Sequence, residues 1–466
     1  MRDYILHYSQ ACDTVIDPFG GSGVTAIEAF LGNRIGVQND INPLANFIAV
    51  GIVELTKVDD TDIANQLLVI EKSCKKLINE IYKCNPSELT IGGLHLELPE
   101  NIALPSNSDA KNYFDLFTPS QLISLAILKN KIDEISDASL RHIFLLAWSS
   151  TLARINKTFI SAKGRAETRG GSSIFSIYRY KIAKDIVELH PWECFYSRFP
   201  HILKARKEMM QLIEFHKSKD QWRGHSKVYK MDIDELRELY YESADYIFTD
   251  PPYGGHISYL DLSILWNSWL GLMPSKEVYE KEIIVGGELN FSEEHYIIRL
   301  KESIKASFDM LKNGRWLSIV FQHWNIDYFE AILTAAQESN GELKSAVSQI
   351  GDPIWSMHKK KGKDSVLAGE FILTFYKKRQ LAPARESKQI DLKMLIVKIL
   401  QNYNKNILYG EFLLNQLVLE AWNNDIINQL KLKRDDLANI LNEHGWHYDN
   451  KKHYWFQSSK PNDYLY

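Results

Sequence analysis

Short apolar runs alternate with turn-forming residues over the first fifty positions of the 466-residue chain. Thr14-Val15-Ile16 passes into Asp17-Pro18-Phe19-Gly20-Gly21-Ser22-Gly23. From Val24 to Leu31 the apolar residues then recur at helical spacing, until Gly32-Asn33 stops them. Arg34-Ile35-Gly36-Val37, ending in Gln38-Asn39-Asp40, reads as a second strand, followed by a helix from Pro43. Strand, tight turn, helix, strand and helix open an α/β sheet, a class that binds ligands at the carboxyl ends of its strands.

Between residues 57 and 215 the alternation gives way to long helical periodicity over 61–83 and 119–155, for example Leu122, Leu125, Leu128 and Ile132, then Ile143, Leu146 and Leu152. Polar stretches at 86–105 and 156–173 separate and follow these helices. Structureless connections of that length are uncommon, so a mainly helical insertion is predicted. The sheet pattern resumes at Val228-Tyr229, then at Asp245 to Thr249, which runs into Asp250-Pro251-Pro252-Tyr253. Trp316 to Phe321 follows a helix predicted to end at Lys312-Asn313-Gly314, and Leu343 to Ile350 and Phe371 to Tyr376 complete seven strands. A polar linker at 380–388 leads to helices near 390–402, 410–422 and 434–444 and a hairpin turning at 449–451, the pattern of a winged helix. The predicted domains are a core in two parts, 1–56 and 216–379, an insertion over 57–215, and a small C-terminal domain over 389–466.

Composition narrows the class only modestly. At 45% apolar and 24% charged residues the chain is a globular protein, which excludes disorder, collagen and simple coiled coil. It has no apolar run of membrane-spanning length, and its N-terminus lacks the layout of a secretory signal. Cys12, Cys74, Cys84 and Cys194 form no close pair, so neither a disulfide framework nor a structural zinc is expected, and the cytoplasm is the expected location. His444, His447 and His453 have no accompanying cysteine or carboxylate cluster, and no metal is expected there either. Net charge is −4, so a nucleic-acid partner has to be gripped by a local basic patch. One such patch exists. Arg154, Lys157, Lys163, Arg165, Arg169, Arg179, Lys181 and Lys184 are opposed only by Glu167, with Phe175, Tyr178 and Tyr180 interleaved. Phosphate contact with base stacking is the functional reading, and a solvated loop the plain alternative.

Two turns carry the candidate chemistry. The glycines of 17–23 let the backbone approach a ligand where Cβ atoms would clash, although a tight strand-to-helix connection alone also fits. In Asp250-Pro251-Pro252-Tyr253 two prolines remove two backbone donors and stiffen the segment, leaving carbonyls to point into a cleft. A Pro-rich surface turn would need neither the Asp before nor the aromatic after. His256, Tyr259, Leu260 and Asp261 follow this turn and either line a base pocket or are ordinary loop and helix residues. Trp266 and Trp269, with Leu262 and Leu265 at helical spacing, read as core.

Taken together, Asp17-Pro18-Phe19-Gly20-Gly21-Ser22-Gly23 and Asp250-Pro251-Pro252-Tyr253 resemble the S-adenosylmethionine-dependent amino-methyltransferases of DNA, which modify adenine N6 or cytosine N4. The resemblance runs over residues 9–50 and about 228–378. Phe117-Thr118-Pro119-Ser120-Gln121-Leu122 and the stretch from Tyr253 to Leu270 are similar to one branch of large bacterial adenine-specific DNA methylases. The order of cofactor turn, long insertion and Asp-Pro-Pro-Tyr is that of the class whose target-recognition region lies between the two motifs.

The resemblance implies a Rossmann-like seven-stranded methyltransferase sheet and S-adenosylmethionine as cofactor. Asp17, Pro18, Phe19, Gly20, Gly21 and Gly23 would hold the methionine portion. Asp40, with Asn39 as competitor, would bind the ribose, and Asp232 the adenine amine, with Asp234 as a helix N-cap. Asp250 and the Pro251 carbonyl would accept the N–H groups of the target amine, Pro252 would stiffen the turn and Tyr253 would stack on the base. Double-stranded DNA with a flipped base is the implied substrate, contacted by Lys157, Lys163, Arg165, Arg169, Arg179 and Lys181. Adenine N6 is favoured by Asp ahead of Pro-Pro-Tyr, and the setting is restriction-modification or phage defence, with a partner subunit. Relatives carry a further segment before the Gly-rich turn that helps hold the methionine carboxylate. Here residues 1–13 precede the first strand, so either a short leading helix serves or cofactor binding is weak. Cytosine N4 transfer, an RNA methyltransferase and a catalytically silent DNA-binding subunit stay open.

Overall fold

The structure, a computed structural model, describes residues 1–83, 96–106, 108–158, 180–184, 186, 188–219, 222–255, 257–323, 325–349, 370–379, 391–403, 407–408, 410–424, 426–427, 434–449 and 454–457. The chain opens with α1 (Arg2–Tyr8), β1 (Thr14–Asp17), α2 (Val24–Leu31), β2 (Ile35–Asn39) and α3 (Pro43–Glu54). Next come the helices α4 (Asp60–Lys83), α5 (Pro119–Asp133), α6 (Ala138–Leu152), α7 (Pro191–Tyr196) and α8 (Phe199–Lys217), with a 3-10 turn at Tyr113–Leu116. The sheet continues through β3 (His225–Tyr229), α9 (Ile233–Tyr240), β4 (Ala244–Thr249), α10 (Tyr259–Leu270), α11 (Lys276–Glu280) and α12 (Glu293–Met310). It ends with β5 (Leu311–Gln322), α13 (Ile326–Glu338), β6 (Gly341–Gln349) and β7 (Glu370–Lys377).

These strands form one seven-stranded sheet in the order β3-β2-β1-β4-β5-β7-β6. β7 runs antiparallel to both β5 and β6, while β3, β2, β1, β4 and β5 pair in parallel. That order with that one reversed strand is a Rossmann-like methyltransferase sheet, as the sequence pattern predicts. Val15, Ile16, Tyr246, Ile247 and Phe248 are buried, as befits central parallel strands covered on both faces. A Cβ at Gly36 would lie 2.0 Å from the Ala26 carbonyl oxygen, so β2 accepts α2 in direct contact only because it carries glycine there. The order reverses between β1 and β4, which makes the carboxyl ends of these two neighbours the crevice of the sheet.

The helix predicted to run to Gly314 ends at Met310 instead. Leu311 is extended and pairs with Ala244. Lys377 Nζ donates to the Phe308 carbonyl at 2.8 Å and the Leu311 carbonyl at 2.7 Å, satisfying acceptors of the final turn. Lys312-Asn313-Gly314 therefore lies inside β5, with Gly314 at φ +80° in an irregular stretch of the ladder.

Among the described residues, the insertion is helical and grips α10, the helix that follows the Asp-Pro-Pro-Tyr turn. The buried Tyr180 hydroxyl accepts from Leu265 N at 2.9 Å and donates to the Leu262 carbonyl at 2.8 Å. Trp266 Nε1 donates to the Ser149 carbonyl at 2.9 Å. On the other side His142 of α6 stacks on Phe47 of α3 at 4.5 Å between ring centres.

Beyond the sheet, α14 (Leu392–Gln401), β8 (Ile407–Leu408), α15 (Gly410–Asn423), α16 (Arg434–Glu443), β9 (Trp446–Asp449) and β10 (Tyr454–Gln457) form a winged-helix-like unit with sheet order β8-β10-β9. It packs against the sheet edge, where Asn415 Nδ2 donates to the Ala346 carbonyl of β6 at 2.9 Å and Trp422 meets Phe375 edge-on. Among the described residues no helix is long and apolar enough to cross a membrane.

Candidate functional site

The Gly-rich turn continues β1 and the Asp-Pro-Pro-Tyr turn continues β4. The two strands are paired side by side, Val15 with Tyr246 and Ile16 with Ile247, so both turns leave the same rim. Asp17 fastens them together. Its Oδ1 accepts from the Thr249 hydroxyl at 2.8 Å and from Phe19 N at 3.1 Å, and its Oδ2 accepts from the Thr25 hydroxyl of α2 at 2.6 Å. The side chain is 4% exposed, and burial pushes its carboxyl up to about 6 against the pull of those three donors.

The glycines make a cradle. Gly21 and Gly23 adopt φ +51° and +84°, a region that L side chains avoid. A Cβ at Gly20 would meet Gln38 Cγ at 2.2 Å, and Gln38 is fixed by bonds from Nε2 to the Gly21 carbonyl and to Asn46 Oδ1, both 3.0 Å. A Cβ at Gly23 would meet Ala49 Cβ at 2.6 Å, whereas one at Gly21 would meet nothing within 4 Å. Packing behind the turn and space in front of it are what a backbone platform for a ligand requires.

After β2, Asn39 and Asp40 divide the work. The Asn39 side chain binds the Met231 peptide from both sides, donating to its carbonyl at 3.0 Å and accepting from its amide at 3.0 Å, and so ties β2 to the end of β3. The Asp40 carboxylate accepts from Gly21 N at 3.0 Å and Asn42 N at 2.8 Å. Burial pushes it up to about 6, the two amides oppose that, and the neighbouring Asp17 adds to it. Asp232, rather than Asp234, is the N-cap of α9: it accepts from Glu235 N at 2.9 Å in a reciprocal capping box. Asp232 also forms an ion pair with Lys281. Partial burial raises its carboxyl, but the Lys281 and Glu235 N–H bonds outweigh that and leave it below its ordinary value.

At the second turn Asp250 is exposed and accepts the Tyr253 hydroxyl. Tyr253 stands edge-on to Phe321 at 5.4 Å. The buried Tyr296 hydroxyl donates to the Pro252 carbonyl at 2.5 Å, and Tyr296 leans on Tyr328 at 4.7 Å. The Pro251 carbonyl accepts no hydrogen bond among the described residues. Gly254, at φ +72°, lets the chain pass the Tyr328 ring.

Both turns open on one cavity of about 490 Å³, whose lining includes Gly21, Asp40, Asp232, Asp250, Tyr253 and Glu282. Its carboxyls outnumber its bases. Lys281 is paired with Asp232, and Arg299 with Asp234 and Glu302, so the wall suits a ligand carrying positive charge.

No protein-family model and no curated protein matches the chain. Among solved structures the chain is similar to one titled "Crystal Structure of antibiotic-resistance methyltransferase Kmr", at 12% identity over 38% of this chain and 72% of that one, with a TM-score of 0.19. At that level of overlap the fold assignment rests on strand order alone.

Of the remaining sequence candidates, Tyr259 and Leu260 line the cavity. Asp261 is buried beside them, and burial pushes its carboxyl up to about 6. Trp266 and Trp269 are buried in the core. Lys157 and Ala183 are joined by a 2.9 Å backbone bond, which sets the two ends of the basic segment side by side, with Lys181 exposed. Lys163, Arg165, Arg169, Arg179 and His256 lie outside the described residues. Among the described residues no group of three or more His, Cys, Asp or Glu could hold a metal ion. Sequence reasoning missed Tyr296, Lys281 and Glu282. For Glu282 there was a signal: an acid leading directly into the apolar run Ile283-Ile284-Val285.

Proposed function

We propose that the chain is an S-adenosylmethionine-dependent methyltransferase that acts on the N6 amine of adenine in double-stranded DNA. The observation that carries this reading is the Asp17–Thr249 hydrogen bond. It joins a glycine cradle to an Asp-Pro-Pro-Tyr turn 232 residues away, so that one cavity serves both.

The residues present fit the cofactor: an open glycine platform at Gly21, carboxyls at Asp40 and Asp232, and a wall rich in acids. When bound, that cofactor supplies a methyl group on a positively charged sulfur. Asp17 to Gly23 would hold its methionine portion, Asp40 the ribose hydroxyls and Asp232 the adenine amine. An exocyclic amine is a poor nucleophile because its lone pair is delocalised into the ring. Asp250 and the Pro251 carbonyl would each accept one N–H, drawing the nitrogen toward tetrahedral geometry and stabilising the positive charge that develops on it. Tyr253 would stack on the base, which has to be turned out of the duplex at a cost of roughly a few kcal/mol. Lys157, Lys181 and the basic residues between them would contact phosphates, and restriction-modification or phage defence, with a partner subunit, is the setting we infer.

Incubation of unmethylated DNA with isotopically labelled cofactor, followed by nucleoside mass spectrometry, tests this. Label on N6-methyladenine is the expected outcome. Label on cytosine N4 would reassign the base, and label found only on RNA would overturn the substrate class.

A further inference from the structure

We propose that Glu282 is a second carboxyl at the cofactor's ribose diol, facing Asp40 across the cavity and taking one of the two hydroxyls. The inference rests on the function proposed above and goes beyond it in naming a contact from outside both motifs.

Glu282 sits in the segment between α11 and α12 that runs Lys281-Glu282-Ile283-Ile284, all four of which line the cavity. It is 8% exposed, in contact with a space that a polar ligand would fill. Its placement is bracketed from three sides. Leu260 N, in the first turn of α10, reaches Oε1 at a long 3.5 Å. Its neighbour Lys281 is tied to Asp232. Three residues on, Val285 is so close to the catalytic turn that a Cβ at Gly255 would fall 2.8 Å from its carbonyl oxygen. The segment thus passes from the position proposed for the adenine amine toward the Asp-Pro-Pro-Tyr turn, and Glu282 lies between them, near enough to feel the charge of Asp40.

A buried carboxyl within reach of the charges of Asp261 and Asp40, with one weak hydrogen bond, is poorly placed for stability alone. Burial first, then repulsion from Asp261, pushes Glu282 up to about 8, with the Leu260 amide opposing and Asp40 adding to the rise. Near neutral pH it therefore carries a proton and can both donate to a hydroxyl oxygen and accept from a hydroxyl. Asp40 already receives two backbone amides and acts only as an acceptor when ionised. A vicinal diol offers two donors and two acceptors, and so satisfies both acids at once and separates them.

The test is equilibrium binding of S-adenosylhomocysteine and its 2′-deoxy and 3′-deoxy analogues to the full chain, with Glu282→Ala and Glu282→Gln compared to wild type. We expect Glu282→Ala to bind the parent compound about tenfold more weakly, the size of a lost hydrogen bond to a charged or polar group. For the one analogue that lacks the contacted hydroxyl it should bind no more weakly than wild type. Glu282→Gln, which keeps a donor and an acceptor, should stay within about threefold of wild type for the parent. Equal losses for all three ligands, or no loss for the parent, would overturn the assignment and leave the proposed function standing. Failure of wild type to bind the parent compound would instead overturn the proposed function, and this inference with it.

Discussion

The same dipeptide, Asp-Pro, begins both turns of the site and meets opposite fates. Asp17 is 4% exposed, with three donors on its two oxygens, while Asp250 is exposed beside a tyrosine hydroxyl. The first aspartate holds the framework: it fastens β1, α2 and β4 into one rim. The second is presented by that framework. Identical residues at equivalent strand ends thus separate into a buried structural knot and an exposed carboxyl according to what the neighbouring chain offers them.

Loss of Asp250 should separate the roles most sharply. Asp250→Ala is expected to lower methyl transfer at least about a thousandfold, comparable to removing a donor from an oxyanion hole, with an unchanged melting temperature. Rates measured with excess cofactor and DNA, alongside a thermal scan, check it. Asp17→Ala should do the reverse and strike stability first. It leaves Thr25, Thr249 and Phe19 N without their acceptor, a cost of about 3 kcal/mol in urea unfolding, and Asp17→Asn should recover more than half of that.

Smaller effects sharpen the picture. Tyr296→Phe releases the Pro252 carbonyl and should cost about 1 kcal/mol, with a rate loss below about tenfold. Retention of the full wild-type rate and stability would show that the turn is stiff without that anchor. Glu282 gives a pH signature. Its carboxyl is raised in the folded protein to about 8, so the native state keeps a proton that the unfolded chain releases above about 4.3. The fold therefore loses stability through Glu282 as pH rises between those values. Glu282→Gln has no such proton to lose, and its melting temperature should gain on wild type from pH 5 to pH 8; a constant difference would contradict the assigned direction.

Much of the framework was legible in the chain itself, because strand ends and turns were written in local residue types. Thr14 to Asp17, the glycine turn and Asp245 to Thr249 stand where their apolar runs and breakers predict. The helix end near Lys312 was not legible, because it is decided by Ser243, Glu242 and Lys377, which meet Asp309, Met310, Phe308 and Leu311 only in the folded state. Glu235, three residues after Asp232, is the signature of a capping box at Asp232, yet the sequence reading puts the cap at Asp234, and the ion pair of Asp232 with Lys281 depends on a segment that periodicity leaves blank. The Tyr296 hydroxyl on Pro252 and the Tyr180 hydroxyl against α10 were likewise out of reach, since each joins residues far apart in sequence through one side-chain atom; Tyr180, which the sequence set among the stacking aromatics of the basic segment, is buried instead.

Division of labour between the two turns is tested most directly by calorimetric titration of S-adenosylmethionine into Asp250→Ala and Gly21→Val. Asp250→Ala should bind the cofactor within about twofold of wild type, while Gly21→Val, which puts a branched side chain at φ +51° and into the open cradle, should bind at least about tenfold more weakly with its fold retained. Equal losses in the two variants, or full cofactor binding by Gly21→Val, would contradict a site in which one turn holds the methyl donor and the other holds the amine.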